Sequence, residues 1–233
     1  MPEALPAIGI WPAWGGAVPA SLSRSLTEIH QEGVRFPPMK LFRQGVLNEE
    51  LLRVMLLNVR KPEQNLGDLK AFIGALNTGE RKVKAMLEKF GVEKFRAGLA
   101  GLQDYAEHQA REILASIPDG TYRFNDLFDS SSLDGELALS CTITVAGDSM
   151  QLHFDSPDQV RSGINLVYTG LLSAVYYAVK TVVDPTVLPN AGLARPIAVT
   201  AREGSVLNCV HPAAVNNRGV TMELGGKSPQ IVF

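Results

Sequence analysis

The hydrophobic period of this chain changes at Pro118-Asp119-Gly120, and that change constrains the fold more than any other feature. Before it, apolar residues recur at helical spacing. Val92, Phe95, Leu99, Leu102, Ala106, Ile113 and Ile117 form one stripe, with Arg96, Gln103, Glu107, Arg111 and Glu112 on the other side. After it the period is two. Leu137, Leu139, Cys141, Ile143 and Val145 alternate with small polar residues, and Met150, Leu152 and Phe154 alternate with Gln151, His153 and Asp155. Gly147-Asp148 lies between the two runs, and glycine in first place matches a type II′ turn. Such a turn pairs Val145 with Met150, Ile143 with Leu152 and Cys141 with Phe154, which places all these apolar side chains on one face.

The remaining elements fall around this hairpin. Asn48 is placed to cap a helix that begins Glu49-Glu50, and Pro62 interrupts it. A long helix follows to about Phe90, with Gly91 as its stop and the Val92–Ile117 helix beyond, so an antiparallel helical hairpin is expected. The first helix of that pair carries Gly67, Gly74 and Gly79 inside an apolar pattern of Leu66, Leu69, Phe72, Ile73 and Leu76. Each interior glycine costs about 1 kcal/mol against alanine. The expectation is a centrally packed helix that another backbone or a ligand approaches closely; an ordinary core helix is the plainer reading. Residues 121–128 are expected to add a strand beside the hairpin, 166–183 a helix and 196–201 a strand. Before all this, Pro2, Pro6, Pro12, Pro19 and Pro37-Pro38 keep the N-terminal region irregular. The fold class expected is α+β, a long helical hairpin on a small antiparallel sheet with an irregular N-terminal arm. It divides into an arm (1–45), a helical region (46–118) and an α+β region (119–233).

Composition narrows the function. A formal charge of −2 gives no pull toward nucleic acid or an anionic membrane. Cys141 and Cys209 make neither a disulfide framework nor a zinc spacing, which points to the cytoplasm. The start of the chain lacks the pattern of a signal peptide, and the longest apolar run, 166–183, is broken by Thr169, Gly170, Ser173 and Lys180. The run ending Gln230-Ile231-Val232-Phe233 reads as a strand without a closing turn, as in a fragment or a tail that needs a partner.

Chemistry-bearing residues are sparse. His30, His108, His153 and His211 are scattered, with no ligand spacing between them. There is no Gly-x-Ser-x-Gly elbow, and Gly225-Gly226-Lys227-Ser228 lacks the first glycine of a phosphate loop at Thr221. Two mixed-charge groups remain. Glu28, Glu32, Arg35 and Lys40 share the irregular stretch Thr27–Leu41, and Arg60 and Asp68 flank Pro62 at a helix entry. Brought together, they offer a carboxylate for proton transfer and a guanidinium for an anionic group. A salt-bridged structural joint is the alternative use of the same residues.

Several long strings resemble the hydantoinase B family: S-L-T-E-I-H-Q-E-G-V-R-F-P-P-M-K-L-F from Ser25, and L-L-N-V-R-K-P-E-Q-N-L-G-D-L-K-A-F-I-G-A-L-N-T-G-E-R from Leu56. P-D-G-T-Y at Pro118, D-Q-V-R-S-G-I-N at Asp158, A-V-Y-Y-A-V-K at Ala174, Asp184-Pro185, and E-G-S-V-L-N at Glu203 match as well. That family includes the B component of N-methylhydantoinase, part of 5-oxoprolinase and the alpha-type component of acetone and acetophenone carboxylases. The resemblance implies lactam, hydantoin or ketone substrates, a hydantoinase-A-type partner carrying ATP with Mg, and a hetero-oligomer. It also implies a divalent metal held by an N-terminal part that this shorter chain lacks. One ligand motif of the family, His-(Trp/His)-x-Asp-x-Gly-Gly, corresponds here to Ile10–Gly16, with Ile10 in the place of the His and Ala13 in the place of the Asp. Neither side chain offers a lone pair to a metal, so no metal or other cofactor is expected on this chain alone. A fragment of a catalytic component and a non-catalytic assembly component are therefore both open.

Overall fold

A computed structural model describes residues 15–18, 23–129, 133, 135–183 and 186–215. The expected features at Ile10, Ala13, Asp184-Pro185 and residues 221–233 lie outside them. The chain divides into two compact units. The first comprises residues Met1–Ser23 and His30–Phe95, the second Arg24–Ile29 and Arg96–Phe233.

In the first unit, β1 (Phe42–Arg43) and β2 (Val46–Leu47) form a small antiparallel hairpin across the end of the arm read as irregular. Its turn is Gln44-Gly45, both at positive φ, the geometry of a type I′ turn. Asn48 then caps α1 (Glu49–Leu57), its side-chain oxygen accepting from the Leu51 amide at 3.1 Å. Pro62 takes the first position of α2 (Pro62–Phe90), where its missing N–H is not needed. Gly91, at φ 76°, ends it.

α2 is not the centrally packed helix that its glycines foretold. Only Asn65 and Leu69 are buried along its 29 residues. A Cβ added at Gly67, Gly74 or Gly79 meets nothing within 4 Å. Among the described residues no backbone crowds these glycines, so close packing within this chain does not account for them.

The second unit is built on a four-stranded sheet in the order β3-β4-β5-β6, with β3 Gly120–Phe128, β4 Leu137–Ala146, β5 Ser149–Asp155 and β6 Ile197–Ala201. The β4–β5 register pairs Val145 with Met150, Ile143 with Leu152 and Cys141 with Phe154, as the turn chemistry required. Gly147 sits at φ 59° while Asp148 stays at negative φ, consistent with type II′. The α+β expectation holds, with one correction. β6 runs parallel to β5, so the sheet is mixed rather than all-antiparallel. A parallel pair needs a long crossover. Here the crossover carries α4 (Tyr168–Val183) and the short α5 (Ala191–Ala194).

The crossover also makes the core. Leu171, Val175 and Val179, one face of α4, pack on Val145, Met150, Leu152, Ile197 and Val199 of the sheet. Leu114, from the last turn of α3 (Val92–Leu114), joins the same cluster. One and two turns back, Ala110 and Ala106 pack on Val187 and Leu193. A Cβ at Gly192 of α5 would collide with the Gln103 carbonyl of α3, so this contact requires glycine. Arg195 spans the joint with bonds to Asp104 (2.8 Å), Glu107 (2.9 Å) and Gln103 (2.9 Å). Arg111 links Glu107 to Asp148 in the β4–β5 turn. No helix among the described residues is long and apolar enough to cross a membrane.

Candidate functional site

Five of the six residues singled out in the sequence, Glu32, Arg35, Lys40, Arg60 and Asp68, fall in the first unit; Glu28 falls in the second. Arg60 does reach the N-terminal arm. Its guanidinium donates to the carbonyls of Gly16 at 2.8 Å and Val18 at 3.2 Å. The Gly16 carbonyl belongs to a glycine pair, Gly15-Gly16, at φ 77° and 100°. A Cβ on Gly15 would stand 2.8 Å from the Asn58 carbonyl oxygen, so the arm lies directly on the α1–α2 link. The Ala17 amide, donating to the Gln31 carbonyl at 2.7 Å, pins the same segment from its other side.

Glu32 is a buried carboxylate, 4% exposed. Asn65 is buried beside the start of α2, its amide donating to the Lys61 carbonyl at 2.9 Å. Asp68 is half-buried one turn further on, while Arg35 and Lys40 are exposed and make no ion pair among the described residues. Glu28 is exposed and forms an isolated antiparallel bridge with Ala213. Arg60 thus acts through backbone carbonyls, holding the Gly15-Gly16 turn.

A second, tighter cluster is built from the 158–165 and 203–208 strings, which the sequence marked as family motifs but not as a site. Asn165 is 1% exposed. Its oxygen accepts from the Val160 amide at 2.9 Å, and its nitrogen faces the carbonyls of Val160 (2.8 Å), Ser162 (2.9 Å) and Ala214 (2.9 Å). Ser162, equally buried, donates to the Arg24 carbonyl at 2.7 Å. Buried Ser205 donates to the Arg202 carbonyl at 2.6 Å, and Arg202 pairs with Asp158 at 2.7 Å. Gln159 closes the knot, its amide donating to the Gly204 carbonyl and its side-chain oxygen accepting from the Val210 amide. Two loops without regular structure are held by side chains that replace ladder bonds. Polar residues within an irregular stretch carry no period, so the motif strings gave no sign that they would meet.

Beside this knot lies a cleft of about 320 Å³ lined by Leu133, Glu136, Leu137, Val160, Arg161 and Ser162. That is the lower end of small-ligand sites. Arg161 and Glu136, both exposed, are the charged residues in its lining.

The other perturbed groups serve the scaffold. Arg195, then Arg111, hold the Glu107 carboxyl below its ordinary range, and burial pushes the Cys141 thiol up, away from the nucleophilic thiolate. His153 bonds across the sheet to Thr200 at 2.9 Å. Among the described residues no three His, Cys, Asp or Glu side chains gather closely enough to hold a metal ion.

Comparison with known proteins supplies the family. The model of Hydantoinase B/oxoprolinase matches residues 6–226. The chain belongs to the hydantoinase B/oxoprolinase family. It is 33% identical over 201 residues to the beta subunit of the caprolactamase of Pseudomonas jessenii, covering 85% of this chain and 35% of that one. It is 30% identical to the B-type component of a putative D-/L-hydantoinase of Pseudomonas sp. (strain NS671), over 80% of this chain and 34% of the relative. The crystal structure of the ATP-dependent caprolactamase from Pseudomonas jessenii superposes with a TM-score of 0.79 over 87% of this chain and 36% of that chain. Nucleotide-free acetone carboxylase superposes with the same score at 17% identity, which shows a shared fold. The chain therefore spans about a third of the length of these two Pseudomonas relatives.

Proposed function

We propose that this hydantoinase B family chain is the frame of a B-type component in an ATP-dependent complex that opens lactam or hydantoin amides or carboxylates a ketone. The observation that carries the reading is the superposition on the caprolactamase, at 33% identity over most of the chain. ATP and its Mg belong on an A-type partner, and this chain contributes the sheet unit and its cleft. Arg161 suits such a substrate, because a guanidinium donates to a carbonyl or carboxylate oxygen in a fixed fork.

The test is to purify the chain alone and together with an A-type partner. ATP consumption is then measured with caprolactam, 5-oxoproline, a hydantoin, and acetone with bicarbonate. Turnover that needs both polypeptides supports the reading; a chain that ignores the partner refutes it. A second reading, a non-catalytic assembly component, is favoured by the lack of any three-residue metal-binding group among the described residues. On that reading the complex forms but the chain adds no turnover and no metal. Stoichiometric metal on the isolated chain would refute it.

A further inference from the structure

We propose that β3 is the strand on which the rest of a hydantoinase-B-type polypeptide docks, meaning the part of the fold that this chain does not span. The occupant is a strand that extends the sheet at β3's outer edge, together with apolar side chains that cover Tyr122 and Phe124. The inference rests on the family reading above and deepens it.

The edge follows from the register. The two-residue turn makes Ala146–Ser149 the first hydrogen-bonded pair of β4 and β5, so Val145, Ile143 and Cys141 turn their backbone groups toward β3. Their partners there are Gly120, Tyr122 and Phe124. Thr121, Arg123 and Asn125 therefore point their N–H and C=O groups away from the sheet. The Leu127 amide, of the same parity, agrees with this direction by donating to its neighbour Asp126 at 2.9 Å.

This edge lacks most of the features that keep open strands apart. The nine pairs of β3 with β4 run without a bulge, and the strand holds no proline. Its charged residues, Arg123 and Asp126, cancel. The opposite edge is closed by the chain itself, since Tyr168 donates to the Val199 carbonyl at 2.8 Å and Asn208 to the Ala201 carbonyl at 3.0 Å.

The face tells the same story. Tyr122 and Phe124 lie on the side of the sheet that carries Ile143 and Cys141, which belong to the core. Yet Tyr122 is 44% and Phe124 65% exposed. Among the described residues neither ring joins the cluster that α4 forms with the sheet. The matched fold covers 87% of this chain but 36% of the caprolactamase chain, so the larger part of such a polypeptide is available to supply the cover.

Hydrogen exchange tests this. The probes are the full 233-residue chain and the intact beta subunit of the Pseudomonas jessenii caprolactamase, compared at β3 and at the strand aligned with it. The amides aligned with Thr121, Arg123 and Asn125 are expected to exchange at least about tenfold more slowly in the intact caprolactamase polypeptide, since paired amides open only with the sheet. In the isolated chain the rates should not depend on protein concentration. Equal rates in the two proteins overturn the proposal. So does protection in this chain that grows with concentration and vanishes in Arg123→Pro, which would make a second copy the occupant. No ATP is consumed in the measurement, so its failure is distinct from failure of the proposed activity.

Discussion

Replacing Asn165 with alanine is the sharpest test of the loop knot. The side chain makes one accepted and three donated contacts, between 2.8 and 2.9 Å, at 1% exposure. Its amide has only two hydrogens, so the three carbonyls share them, and the equivalent of about three full bonds is lost. At about 1 kcal/mol net for each, the change costs about 3 kcal/mol. For a domain of this size, about 2–4 °C of melting temperature is lost per kcal/mol, so the midpoint should fall by about 6–12 °C. Calorimetry or circular dichroism reads this directly. The Asn165→Asp variant adds a sign. A carboxylate facing those carbonyl oxygens is disfavoured, so the introduced acid titrates higher in the folded state than in the unfolded one. Its stability should lie nearest to wild type below the unfolded value, about 4, and worsen as pH rises through the raised folded value. An alanine variant that melts within about 1 °C of wild type would refute the reasoning, because the loops would then be held by something other than this side chain.

Three further outcomes are expected. Gly67→Ala, Gly74→Ala and Gly79→Ala, with open space around each added Cβ, should each raise stability by about 1 kcal/mol in thermal melts; a loss would restore the crowded helix that the sequence implied. Glu107 is held below its ordinary range by Arg195 and Arg111, so its contribution is present above the unfolded glutamate value and is lost as pH falls through the depressed one. Glu107→Gln should remove that part of the acid limb when melting is followed against pH. Arg60→Ala frees the carbonyls of Gly16 and Val18, so limited proteolysis near residues 15–18 should quicken while the global melting midpoint barely moves.

What the sequence determined by itself was local. The β4–β5 register, the Asn48 cap, the Pro62 entry and the Gly91 stop were all legible, because each follows from side-chain alternation or backbone stereochemistry within a few residues. The long motif strings carried the family in the same way, as an ordered series of residues. The tertiary structure alone decided the rest. Nothing local states that β6 would lie parallel to β5, since strand direction is set by where the long crossover through α4 and α5 delivers the chain. Nor does local pattern say that Asn165 would serve backbone groups from two distant loops, or that Arg60 would use carbonyls rather than Asp68. The glycines of α2 make the contrast plain. Their composition implies crowding, but whether a Cβ meets another atom depends on what packs there, and among the described residues nothing does.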